Sequence, residues 1–121
     1  MKKILVTAAV IIRDGQVLLC RRPPDKPPMG LEFPGGKVED GETLSQALRR
    51  ELREELLLDL TVCEPLYLVE TPKIDLWFLR VPWREGQTPV PQEGQIVKWT
   101  PLGEPPDDLL PNDLQFWRFI S

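Results

Sequence analysis

The stretch from Thr43 to Leu56 constrains the fold more than any other part of the chain. Leu44, Ala47, Leu48, Leu52 and Leu56 recur there at intervals of three and four, the period that lines one side of an α-helix. Such a stripe has to be buried against another layer. Glu51, Glu54 and Glu55 recur at i, i+3 and i+4 on a face roughly opposite to it, so the same helix presents three carboxylates together. Thr43 supplies an N-cap, and Glu39, Asp40 and Glu42 put negative charge near the positive end of the helix dipole. A Glu-rich helix face is ordinarily just solvated. Like-charge pairs at this spacing cost only about 0.2 to 0.5 kcal/mol, so energetics alone do not separate a solvated face from a site.

Strands are expected on both sides of this helix. Ile4 to Ile12 and Gln16 to Arg21 are apolar runs around Asp14-Gly15, which reads as a hairpin of buried strands. The first run follows Lys2 and Lys3 as a signal peptide would, but a second apolar run stands where small residues of a cleavage site are expected. Pro23-Pro24-Asp25-Lys26-Pro27-Pro28 continues neither a ladder nor a helix and is a loop. Leu31 to Pro34 is extended, and Gly35-Gly36 permits a tight turn or a close approach to a ligand. Thr61 to Glu70 and Ile74 to Val81, joined by Thr71-Pro72-Lys73, are further strands, as is Gln95 to Thr100. Pro82 to Gly94 is a loop, and Pro111 to Ile120 a helix with Phe116, Trp117 and Ile120 for packing. This order gives an α/β or α+β layered domain. With 121 residues, 41% of them apolar, one such domain over residues 1–121 is expected.

Charge and inventory narrow the chemistry. Fifteen Lys and Arg against 19 Asp and Glu give no basic field for a nucleic-acid polymer, and no run reaches the roughly 18 to 20 apolar residues of a membrane span. Histidine is absent, which removes His general bases, His-ligated zinc and Ser-His-Asp triads. Cys20 and Cys63 lie far apart, outside any CxxC pair, and read as buried thiols of a cytoplasmic protein. Carboxylates are left to do the chemistry, and a polyphosphate ligand would need cations to neutralise it.

The flanks of the acidic cluster make it specific. Gly36, five residues, Glu42, seven residues, Arg50-Glu51-Leu52, one residue, Glu54-Glu55 and then Leu58 resemble the Nudix box, with eight of its nine defined positions in register. The ninth, Leu57, stands where the family has glycine. Leu31 to Lys37, Leu76-Trp77-Phe78 and Glu93-Gly94-Gln95 resemble the segments around the box in the MutT-like branch, which includes 8-oxo-dGTP diphosphatases and CTP pyrophosphohydrolases. The resemblance implies a Nudix fold, an α/β/α sandwich around a mixed β-sheet. It also implies a metal-dependent nucleoside triphosphate diphosphatase that releases a nucleoside monophosphate and pyrophosphate, sanitising the nucleotide pool with 8-oxo-dGTP as its first-choice substrate. The expected assembly is a monomer or homodimer.

By the same resemblance, Glu51, Glu54 and Glu55, with the backbone carbonyl of Gly35 or Gly36, hold the metal, and Glu93 joins as ligand or general base. Hard oxygen donors without histidine suit Mg²⁺, with Mn²⁺ as the alternative. Arg50 is expected to brace the acidic helix by a salt bridge and Glu42 to orient the loop. Arg22 matches an arginine that reaches nucleotide phosphate, and Glu32, Phe33, Pro34 and Gly35 are expected at the substrate, with Phe33 placed to stack on a base.

The base itself is read, in this branch, near the start of the C-terminal helix. Matching by residue type selects Asn112; matching by distance from Pro111 selects Asp113, the preferred choice. A neutral Asp donates as well as accepts and an ionised one accepts from a cytosine amino group. Oxidised purine and cytosine nucleotides (CTP or dCTP) are therefore both alternatives. A catalytically silent nucleotide sensor, or a hydrolase of sugar nucleotides or capped alcohols, are the competing functions; the complete acidic set speaks against the sensor. Two departures stand out. The loop Pro23 to Gly30 lacks a histidine that touches substrate in one relative, and Leu57 would cost about 1 to 2 kcal/mol in a left-handed turn unless the helix runs one residue longer.

Overall fold

The computed structural model describes residues 2–62 and 64–120, so the expectation for Cys63 lies outside the described residues. The elements are β1 (Ile4–Val10), β2 (Ile12–Arg13), β3 (Gln16–Arg21), β4 (Leu31–Glu32), β5 (Gly35–Lys37), α1 (Leu44–Leu56), β6 (Pro65–Glu70), β7 (Ile74–Arg80), β8 (Ile96–Pro101) and α2 (Pro111–Ile120). One sheet has the order β5-β1-β7-β6 and is mixed, with β1 and β7 parallel and the other pairs antiparallel. In the other, β3 pairs antiparallel with β2, β4 and β8.

The expected long hairpin needs correction. Asp14 (φ 49) and Gly15 (φ 75) form the tight turn, but only Ile12 and Arg13 pair with Val17 and Gln16, one more bond running from Leu18 N–H to the Ile11 carbonyl at 3.0 Å. The chain changes sheet at Ile11, and Ile4–Val10 pairs with β7 and β5 instead. The physical reason is that Ala8 to Ile11 are buried on both faces. Ala8 and Val10 join Val17, Leu19, Phe78, Phe116 and Trp117 on the α2 side, while Ala9 and Ile11 join Leu18, Leu79 and the α1 leucines on the other. Continuous apolar runs of this kind belong to strands covered on both sides. Two helices on opposite faces then complete the α/β/α layering. The strand expected from Thr61 begins only at Pro65.

Helix α1 has the anticipated start and an unanticipated end. The Thr43 hydroxyl accepts from the Gln46 N–H at 3.1 Å and the Gln46 side chain accepts from the Thr43 N–H at 2.9 Å, a reciprocal cap that satisfies two otherwise orphaned donors. Ala47, Leu48, Leu52 and Leu56 are buried as the stripe required. Leu57 does not extend the helix: it adopts φ 54, ψ 33, the left-handed conformation that favours glycine. In α2, Phe116 and Trp117 are fully buried and Ile120 packs against their cluster. Among the described residues no helix is long and apolar enough to cross a membrane.

Candidate active site

Between the two sheets and the start of α2 opens a cleft of ≈ 950 Å³. Its floor is made by β5, whose Gly35 and Gly36 pair with Ala8 and Thr7 of β1. A Cβ on Gly35 would fall 2.0 Å from the Thr7 carbonyl oxygen, and one on Gly36 would fall 2.5 Å from the carboxyl carbon of Glu51. At Gly35 the clash is with backbone and excludes any side chain, whereas at Gly36 a side chain would displace the Glu51 carboxylate. The double glycine therefore lets the β5 backbone lie against β1 and against the Glu51 carboxylate of α1, and the Gly36 carbonyl accepts from the Thr7 hydroxyl at 3.2 Å.

The acidic face of α1 divides in two. Glu51 and Glu55 line the cleft, whereas Glu54 is outside its wall, with 59% of its side chain exposed and Arg50 Nη1 at 3.4 Å. Burial pushes the Glu55 carboxyl up to about 8, helped by the negative charge of Glu51, a hydrogen bond shared with it, and the charges of Glu93 and Glu32. Glu93 lines the cleft from the loop before β8 and pairs with Lys26 at 3.3 Å. Of the four expected acids, Glu51 and Glu55 stand together, while Glu54 pairs with Arg50 and Glu93 with Lys26. Among the described residues no group of three acidic or thiol side chains is close enough to hold a metal ion. Glu51, like Glu54, pairs with Arg50.

The donor set nonetheless fits a hard divalent cation. It offers carboxylate oxygens and an adjacent backbone carbonyl, with no nitrogen or thiolate ligand at hand. Cys20 borders the cleft, but burial holds its thiol at about 12, so it stays protonated.

Arg50 and Glu42 take the bracing roles expected of them. The Arg50 guanidinium donates to both Glu42 oxygens (2.7 and 2.9 Å), to Glu51 (2.9 Å) and to the Lys37 carbonyl (3.0 Å). Glu42 accepts in addition from the Glu39 N–H at 2.9 Å, and these bonds lower its carboxyl to about 2. One arginine thereby ties the loop after β5 to the acidic helix and fixes the orientation of Glu51.

Arg22 is paired along Glu32, with Nη2 3.2 Å from Oε1, and its Nη1 donates to the Pro27 carbonyl at 3.1 Å. Pro34 is buried and its carbonyl accepts from the Ala9 N–H at 2.7 Å. Phe33 calls for a correction. Its ring is 3% exposed and lies edge-on to Phe78 and Phe116, both at 5.4 Å, so it is part of the core rather than a free stacking platform. Asn112 and Asp113 both border the cleft at the start of α2; Asp113 is 6% exposed, accepts from the Phe33 N–H at 3.0 Å, and is raised to about 7 by burial. Apolar side chains of Ile4, Val6, Ile74 and Leu76 complete this wall. Lys26 and Lys37, which also line the cleft, were not singled out from the sequence. Lys26 sits in a proline-rich loop, where a lone charge carries no local signal of its long-range partner.

The NUDIX domain pattern matches residues 3–119. The 8-oxo-dGTP diphosphatase of Escherichia coli K12 is 38% identical over 118 residues, which cover 92% of this chain and 91% of that protein. The CTP pyrophosphohydrolase of the same organism is 57% identical over 65 residues, 53% of this chain, and the match spans only 48% of that relative's length. Among solved structures, MutT from a study of the Aliivibrio salmonicida and Vibrio cholerae proteins superposes with a TM-score of 0.71 at 34% identity, covering 84% of this chain and 82% of that one. With the box in register on α1 and the fold shared along the chain, the protein belongs to the Nudix hydrolase family.

Proposed function

We propose that the protein is a nucleoside triphosphate diphosphatase that depends on Mg²⁺ or Mn²⁺ and splits its substrate into a nucleoside monophosphate and pyrophosphate. The observation that carries this reading is the Glu51 and Glu55 pair, with Glu51 packed against Gly36, in the same cleft as a buried Asp113. The acids suit a cation and its polyphosphate, and Asp113 suits a base. Glu51 and Glu55, with the Gly36 carbonyl, would hold the cation, and Glu54 and Glu93, once released from Arg50 and Lys26, would join them. The bound cation would neutralise phosphate charge and lower the pKa of an attacking water. Arg50 keeps Glu51 in place throughout, and Glu93, which lines the cleft, would accept the proton of that water.

For the base, Asp113 and Asn112 are the polar groups offered by α2, and the apolar wall of Ile4, Val6, Ile74 and Leu76 lies beside them. With the 8-oxo-dGTP diphosphatase similar along almost the whole chain, 8-oxo-dGTP is the first-choice substrate. CTP and dCTP are the second, since an ionised Asp113 accepts from a cytosine amino group. The deciding experiment is pyrophosphate release from 8-oxo-dGTP, dGTP, CTP and dCTP with Mg²⁺ or Mn²⁺. Turnover of at least one of them is expected, and Glu55→Gln should reduce it by about 100-fold or more while the circular dichroism spectrum is unchanged. Inertness of the wild type towards all four, with either cation, refutes the reading.

A further inference from the structure

Six carboxylates and three cationic side chains line the cleft, so a triphosphate, itself strongly anionic, enters a wall short of positive charge. Of the three cations, Arg22 is committed to Glu32 and to the Pro27 carbonyl, and Lys37 stands exposed on β5 opposite Val6, its carbonyl taken by Arg50. Lys26 differs from both. Its backbone N–H donates to the Pro23 carbonyl at 3.0 Å, which turns the loop back on itself, and its ammonium crosses the mouth of the cleft to Glu93 at 3.3 Å. Both side chains are more than half exposed, at 53% and 57%. An ion pair that open to water contributes little and exchanges readily. A lysine on a flexible stem follows a charged partner easily.

We propose that Lys26 is a polyphosphate-binding residue that changes partners on substrate binding. A divalent cation takes the Glu93 carboxylate, and the released ammonium turns to the phosphate oxygens. The proposal rests on the triphosphate diphosphatase reading above. It assigns a substrate contact to a loop that lacks the histidine of a related enzyme. It also makes Lys26 a competitor of the cation and a helper of the phosphate, two effects of opposite sign that a merely structural side chain would not produce.

Calorimetry with Mg²⁺ alone and with tripolyphosphate separates the two effects. In Lys26→Met, Mg²⁺ alone should bind about threefold more tightly, because Glu93 is released and a positive charge removed. Tripolyphosphate should bind the Mg²⁺-loaded variant roughly tenfold more weakly than it binds the loaded wild type, and Lys26→Arg should recover most of that loss. A nucleoside monophosphate should bind wild type and Lys26→Met alike. Equal tripolyphosphate affinity in wild type and Lys26→Met, or Mg²⁺ affinity that falls or stays the same, overturns the proposal and leaves the diphosphatase reading standing if the wild type still turns over triphosphates. A wild type that neither binds tripolyphosphate nor releases pyrophosphate overturns both.

Discussion

The backbone N–H of Phe33 donates to Oδ1 of Asp113 at 3.0 Å, across 80 positions of sequence. The bond continues a seam. Leu31 N–H donates to the Asp108 carbonyl and Leu110 N–H to the Leu31 carbonyl, both at 2.9 Å, so β4 is stitched to the segment that leads into α2. One carboxyl oxygen of Asp113 is thereby spent on structure, and the reading proposed above gives the other to the base.

That division predicts two separable effects. Asp113→Ala leaves the buried Phe33 N–H unpaired and should lower unfolding free energy by about 1 to 3 kcal/mol, read from urea midpoints. Asp113→Asn keeps the acceptor for Phe33 but replaces the second oxygen with an amino donor. It should be close to wild type in stability, while the ratio of kcat/KM for CTP over 8-oxo-dGTP falls by roughly tenfold, because a cytosine amino group then meets a donor instead of an acceptor. An unchanged ratio would move the base-reading role from Asp113 to Asn112.

The raised carboxyls set the pH dependence. Glu55 goes from an ordinary 4.5 to about 8 and Asp113 from 3.8 to about 7, burial being the first cause in each. Between those values the folded protein holds protons that the unfolded chain has released, so stability falls as pH rises, by at most about 1.4 kcal/mol per pH unit for each group. Glu42, lowered to about 2, acts with the opposite sign but in a window below 4.5. In EDTA, the denaturation midpoint should therefore drop from pH 5.5 to pH 8.5. Added Mg²⁺, which favours the ionised form of Glu55, should raise the midpoint most at pH 8.5. A midpoint that climbs with pH in EDTA would contradict the protonated assignment of Glu55.

Much of this arrangement was legible in the chain because its determinants are local. The leucine stripe, the Thr43 cap and the register from Gly36 through Glu55 depend on spacing along one helix and its lead-in, and the structure reproduces the stripe and the cap. What was not legible depends on partners far away in sequence. The run Ile4 to Ile12 looked like one arm of a hairpin, since alternation cannot show that both faces of a strand are covered or that the chain changes sheet at Ile11. Phe33 beside the glycines looked like a stacking platform; the rings that enclose it, Phe78 and Phe116, come from β7 and α2. Glu54 shares its helical face with Glu51 and Glu55, yet it stands outside the cleft wall with Arg50 at 3.4 Å. The periodicity places the side chain's root but not its tip.

Leu57 offers a test at the helix's other end. Its N–H donates to the Arg53 carbonyl and the Leu58 N–H to the Leu52 carbonyl, each at 3.1 Å; the first is the 5→1 bond of an αL cap, whose left-handed residue is usually glycine. Leu58 is fully buried in the cluster of Leu52 and Leu56, which holds the turn in place despite its strain. The Leu57 side chain is 58% exposed and gives little in return. A left-handed leucine costs about 1 to 2 kcal/mol, and glycine would relieve it while losing about 0.5 to 1 kcal/mol through the freedom it gains in the unfolded chain. Leu57→Gly should therefore gain about 0.5 to 1 kcal/mol in urea denaturation at constant m-value, whereas Leu57→Val, branched at Cβ and less tolerant of positive φ, should lose stability. If the glycine variant is the less stable of the two, the left-handed cap stores no strain at this position, and the buried contacts of Leu58 alone account for the way the helix ends.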